Sequence, residues 1–202
     1  GGTIIYDGKT YDHLTINQSI QLGIQVIYQD MTVFPNLTVA ENIALNFELY
    51  NKKKLVNWKN VYKIAKQSLE HIGIDIPLDA KVGTLSVADK QLVAIARSIL
   101  YNSRLIIMDE PTSALTRREV DKLFKVIRQL QSEGISVLFV SHKLDEVFEI
   151  AERFTILRNG RLIITDDAKN VDNEKFVYYM TGRKIEENYF VAENVDTTKS
   201  LF

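Results

Sequence analysis

Apolar strand patterns alternating with helical patterns predict an α/β fold on a largely parallel sheet. The stretch from Leu105 to His142 says so most directly: two apolar strands flank one helix, and the connection is long enough for a right-handed crossover. The second observation is a helix-rich segment, about residues 37–102, between a strand at 23–28 and the strand at 105–108. The third is a pair of two-stranded hairpins, which add a small antiparallel part.

The elements follow in order. TIIYDGKTY reads as two short strands around a turn at Asp7-Gly8, and GIQVIY (23–28) as a buried strand ending at Gln29-Asp30. Thr38 caps a helix through about Leu49, with Glu41 completing a capping box. The basic turn Lys52–Lys54, read as a solvated turn, separates it from a helix over Trp58–His71 that Gly73 stops. Ser86 caps the next helix, which runs to about Tyr101. Leu105–Met108 is a strand ending in two carboxylates and Pro111. Thr116 and Glu119 open a helix that Gly134 terminates, and ISVLFVSH is a second apolar strand ending at His142. A helix over 144–152, a hairpin turning at Asn159-Gly160, and a short helix near 173–180 complete the pattern.

Composition narrows the function classes. The 202 residues are 46% hydrophobic and 25% charged, as in an ordinary globular chain. A net charge of −1 gives no basic footprint for nucleic acid. Without cysteine there are no disulfides, thiolate metal sites or cysteine nucleophiles. No apolar run exceeds five residues, against the roughly 20 needed to cross a bilayer. The opening GGTIIYDGKT is not a signal peptide and lacks an initiator Met, so a piece of a longer chain is expected.

The chemistry concentrates where the two parallel strands end. Both run the same way, so Asp109, Glu110 and His142 reach the carboxyl edge of the sheet together, where α/β proteins bind ligands. Of two adjacent carboxylates, one can hold Mg²⁺ through water while the other polarises an attacking water. An imidazole beside them can hydrogen-bond a terminal phosphate oxygen. The set suits phosphoryl transfer, where positioning and charge stabilisation supply most of the catalysis. Each part has a bland reading: the Asp-Glu pair as polar punctuation, His142 as a strand-end residue, Ser86 as a helix cap.

Taken together, these residues resemble the nucleotide-binding subunit of ABC transporters over essentially the whole chain. IYQD (27–30) resembles the Q-loop, LSVADKQLVAIARSIL (85–100) the signature motif and its helix, and LIIMDEP (105–111) Walker B with its glutamate. SALT (113–116) resembles the D-loop and VSH (140–142) the switch histidine, all in the family's order and spacing. The finer resemblance is to the first of two cassettes in the ATPases of bacterial monosaccharide importers. It rests on the LSV opening at Leu85–Val87, on Pro35 followed by LTVAEN, on HKLDEVFEIAERFTILRNGR, and on MTGR at 180–183.

The resemblance implies an ABC-type P-loop NTPase cassette: a largely parallel sheet, a helical subdomain at about 37–102, a small antiparallel part, and a linker at about 183–202. It implies that Asp109 holds Mg²⁺ through water, that Gln29 contacts Mg²⁺ or the attacking water and signals to the membrane subunits, that Glu110 is the general base or water positioner, and that His142 holds the γ-phosphate of ATP. Ser86, Val87, Ala88 and Asp89 would face ATP bound on an opposing cassette. The implied partners are a second cassette, transmembrane permease subunits and, indirectly, a periplasmic or extracellular sugar-binding protein. The implied location is the cytoplasmic face of the bacterial membrane.

Two departures from the family pattern carry their own expectations. No G-x-x-x-x-G-K-[ST] loop is present, and Gly8-Lys9-Thr10 only imitates its ending, because Thr3 stands where the first glycine is required. The chain is therefore expected to begin after Walker A as a single N-terminally truncated cassette over 1–202. It is expected to bind and turn over little ATP alone, and to self-associate through exposed apolar sheet surface. Ala88 stands where the family has glycine, and its methyl is expected to crowd a phosphate.

Three other readings compete. DNA-repair and chromosome-organising ATPases share these motifs but insert coiled-coil arms, whereas only 55 residues lie between Gln29 and Leu85 here. A regulatory module derived from a cassette fits less well with retention of Glu110 and His142. Importers of nucleosides or other small solutes are the runner-up.

Overall fold

The computed structural model describes residues 2–29, 32–50 and 56–182. Asp30, the Lys52–Lys54 turn and the linker expected over 183–202 lie outside them. The chain divides into two units, 1–146 and 147–202.

The first unit opens with a hairpin, β1 (Ile4–Tyr6) against β2 (Lys9–Tyr11). Its turn uses Asp7 at φ 52° and Gly8 at φ 73°, so Gly8-Lys9-Thr10 opens no helix. A short helix follows, α1 (Ile16–Gln21), which the sequence reading passed over. Its signal was present: Thr15 and Gln18 form a capping box. Gly23, at φ 74°, lets the chain enter β3 (Ile24–Ile27) against the next strand; a Cβ there would lie 2.8 Å from the Asn102 carbonyl oxygen.

Three helices then pack on one another. They are α2 (Val39–Tyr50), α3 (Trp58–His71) and α4 (Val87–Ile99), in the region expected to be helical. Thr38 and Glu41 make the expected box, Thr38 N–H donating to Glu41 Oε2 at 2.6 Å. Apolar positions of the three helices, among them Ile43, Val61, Ala65, Leu92 and Ile95, are fully or almost fully buried. Each large aliphatic side chain so buried contributes about 1.5–3 kcal/mol.

The sheet of this unit holds β3, β4 (Leu105–Asp109) and β5 (Ser136–Val140) in that spatial order, all parallel. The crossover helix α5 (Arg117–Ser132) starts at the expected Thr116–Glu119 box and stops before Gly134, at φ 85°. One sheet face carries Ile27, Ile106, Met108 and Phe139. Phe139 stacks edge-on against the fully buried Phe124 of α5 at 5.8 Å. The opposite face leaves Val26, Leu138 and Val140 exposed, the apolar surface the sequence led one to expect. Parallel sheets are ordinarily covered on both faces.

The helix α6 (Leu144–Ile150) runs across the boundary between the units. The second unit continues with the hairpin of β6 (Arg153–Arg158) and β7 (Arg161–Asp167), turning at Asn159-Gly160 as expected, and α7 (Asn173–Thr181). Phe176 of α7 packs against Phe148 and Phe154, with ring centres 5.2 and 4.8 Å away. Among the described residues, no helix is long and apolar enough to cross a membrane.

Candidate functional site

Parallel register brings the expected residues to one edge. Ile27 pairs with Met108, and Asp109 with Val140, so Gln29 lies two residues beyond the last pair of β3, and Glu110 lies two beyond Met108, the β4 member of that pair. Asp109 closes β4, and Glu110 N–H extends the ladder by donating to the Val140 carbonyl at 3.0 Å. His142 follows β5 by two residues.

Glu110 sits at the turn that leaves β4. Its φ of 43° is left-handed, a region that costs an L-residue about 1–2 kcal/mol. The chain reverses through Pro111, with Ser113 N–H donating to the Glu110 carbonyl at 3.2 Å. The half-buried Glu110 side chain meets the exposed imidazole of His142, Oε1 to Nδ1 at 3.1 Å. A carboxylate only accepts, so Nδ1 donates, and Nε2 is the nitrogen left to face a ligand.

Sequence reasoning passed over the groups on the two loops that carry this pair. The buried Glu146 accepts from the Thr112 hydroxyl at 2.6 Å and the Ser141 hydroxyl at 3.0 Å, and Lys143 Nζ lies 3.1 Å from its other oxygen. Their signal was weak: a Thr two places after Glu110, and a Glu four places after His142. Arg97 was passed over too. From α4 its guanidinium donates to the Thr32 carbonyl at 2.7 Å and the Thr32 hydroxyl at 3.1 Å, holding the segment that follows Gln29. Burial lowers its pKa from the ordinary guanidinium value. Asn42 of α2 grips the same segment, bonding both the N–H and the carbonyl of Phe34.

The signature residues lie at the start of α4, at the first turn of a different element from the carboxylates. Ser86 caps the helix by accepting the Asp89 N–H at 3.1 Å, and its hydroxyl donates to Asp89 Oδ2 at 3.0 Å. As at any helix start, the amides of Val87 and Ala88 have no intrahelical partner and suit an anion. Val87 is exposed, whereas Ala88 is only 6% exposed. The Ala88 methyl is thus buried. Lys122 Nζ lies 3.7 Å from Asp89 Oδ1 and partly offsets its charge.

Among the described residues no three His, Cys, Asp or Glu side chains gather as a metal cage. The Asp109 carboxylate and the Gln29 amide oxygen are hard oxygen donors. They fit Mg²⁺, which takes one or two carboxylates and fills the rest of its sphere with water and phosphate oxygens.

A three-stranded parallel sheet with paired carboxylates and a histidine at its carboxyl edge, with a helical segment of three packed helices, has the architecture of an ATP-binding cassette. The chain belongs to the ABC transporter family, which it matches over residues 1–113. It is 38% identical over 188 residues to the ribose import ATP-binding protein RbsA of Bacillus licheniformis, covering 93% of this chain and 38% of that protein. It is 41% identical over 189 residues to the protein of the same name from Corynebacterium glutamicum, covering 94% and 36%. The chain therefore spans under two-fifths of the length of these relatives. In structure it is similar to an ATP-binding cassette of an ABC transporter in its ADP conformation. The TM-score is 0.74 at 25% identity, covering 91% of this chain and 78% of that one.

Proposed function

We propose that this chain is part of the ATP-hydrolysing subunit of an ABC-type monosaccharide importer. The observation that carries the reading is the contact of Glu110 Oε1 with His142 Nδ1 at 3.1 Å, beside Asp109 at the edge of the parallel sheet. In this reading Asp109 and Gln29 hold Mg²⁺, which supplies charge neutralisation at the phosphates. Glu110 orients the attacking water and takes its proton. His142 faces a γ-phosphate oxygen through Nε2, which donates there in the imidazolium form.

Ser86, Val87, Ala88 and Asp89 present the amino end of α4 to ATP held by a second cassette, and α2–α4 form the subdomain that meets the permease. The subunit then works at the cytoplasmic face of a bacterial membrane, serving a permease fed by a sugar-binding protein. Support for the sugar comes from the ribose import proteins named above.

The test is ATP turnover by the full-length protein. Glu110→Gln keeps the shape and removes the base, so kcat falls about 10²–10⁴-fold while Mg-ATP still binds. Turnover unchanged in Glu110→Gln overturns the assignment.

A further inference from the structure

We propose that Glu146 is a positioning residue that holds the Glu110 loop and the His142 loop to a common anchor. The proposal rests on reading that pair as the hydrolytic centre. Glu146 lies at the start of α6 and is only 5% exposed. Its Oε2 accepts the hydroxyl of Thr112, two residues after Glu110, at 2.6 Å. The same oxygen accepts the hydroxyl of Ser141, the residue before His142, at 3.0 Å.

Lys143 closes the ring. Its Nζ lies 3.1 Å from Glu146 Oε1 and donates to the Thr112 carbonyl at 2.9 Å, while its N–H donates to the Ser141 hydroxyl at 3.0 Å. These partners all come from the two loops that leave β4 and β5.

A buried carboxylate is tolerated only where donors surround it, and these three donors come from two different loops. Neither loop can shift without leaving Glu146 short of a partner. Thr112 is tied to Glu110 by the tight turn whose Ser113 N–H meets the Glu110 carbonyl, so a displacement at Thr112 reaches Glu110. Ser141 is covalently next to His142. The 3.1 Å contact between Glu110 and His142 thus depends on an acid that touches neither of them.

The substitution Glu146→Gln keeps the shape and an oxygen for the two hydroxyls, but turns an amide N–H₂ toward the Lys143 ammonium. Adding Lys143→Met removes that conflict and leaves the Thr112 carbonyl free to accept from the amide. In the full-length protein, Glu146→Gln is expected to lower kcat about 10–100-fold, with KM for Mg-ATP within about twofold, as for a misplaced catalytic group. The double variant recovers most of the loss. Thr112→Val, close in shape but lacking the hydroxyl, moves kcat in the same direction and serves if Glu146→Gln does not fold.

Hydrogen exchange gives the second readout. Amides at 112–113 and 141–143 exchange about tenfold faster together in Glu146→Gln, with β3–β5 unchanged. Loosening of one loop alone, loss of protection throughout the sheet, or an unchanged kcat overturns the proposal. If wild-type turnover is insensitive to Glu110→Gln, it is the hydrolytic reading that has failed. Exchange at the two loops then still decides whether Glu146 binds them together.

Discussion

Glu110 pays for its place in the site with backbone strain, and the cost can be measured apart from the chemistry. Its φ of 43° costs an L-residue about 1–2 kcal/mol, which glycine does not incur. Glycine normally loses about 0.5–1 kcal/mol to alanine through the entropy of the unfolded chain. The two terms oppose each other at position 110, and the strain is the larger. Glu110→Gly should therefore be more stable than Glu110→Ala by about 0.75 kcal/mol, the difference between the midpoints of those ranges. At Lys125, on the exposed side of α5, the order should reverse, Ala exceeding Gly by about 1 kcal/mol. Urea unfolding followed by circular dichroism reads both pairs. Both variants at 110 lack the carboxylate and should be equally inactive, so stability and turnover separate cleanly. If Gly is no better than Ala at 110, the left-handed conformation does not strain the chain.

Two further outcomes follow from groups around the site. Arg97→Met keeps the aliphatic stem but loses both bonds to Thr32 and should cost about 1–2 kcal/mol in urea unfolding; no change would show that the tie contributes nothing. The backbone hydrogen bond from Thr38 is the main cause holding Glu41 below the ordinary glutamate value of 4.5. Its contribution is present above 4.5 and is lost as pH falls through the lower folded value. Glu41→Gln keeps a capping acceptor without the charge, so its unfolding midpoint should fall less steeply between pH 5 and 3. Parallel slopes would remove Glu41 from the account.

Much of the fold was legible because local chemistry carried it. The helix expected over Trp58–His71 is found with those bounds, since an Asn cap and a stop at Gly73 bracket an amphipathic run. The boxes at Thr38 and Thr116 and the Asn159-Gly160 turn were equally readable, each set by residues within four positions of one another. The helix α1 was missed because it buries no residue, so no apolar periodicity advertised it. Asp109, Glu110 and His142 were legible as neighbours because a parallel crossover brings strand ends to one edge whatever the loops contain, whereas Gln29 entered through the resemblance of IYQD to the Q-loop.

Alternation and capping by themselves determined the α/β class, the order of the elements and the edge at which the chemistry gathers, since period and turn residues act over a few positions. Only the tertiary structure decided the rest. The left-handed turn at Glu110, the burial of the Ala88 methyl and the anchoring of two loops on Glu146 depend on which segments meet. Thr112 and Glu146 are 34 residues apart in the chain and 2.6 Å apart in space. No local pattern encodes such a contact, because it exists only once β4 and β5 lie side by side and leave one buried carboxylate between their loops.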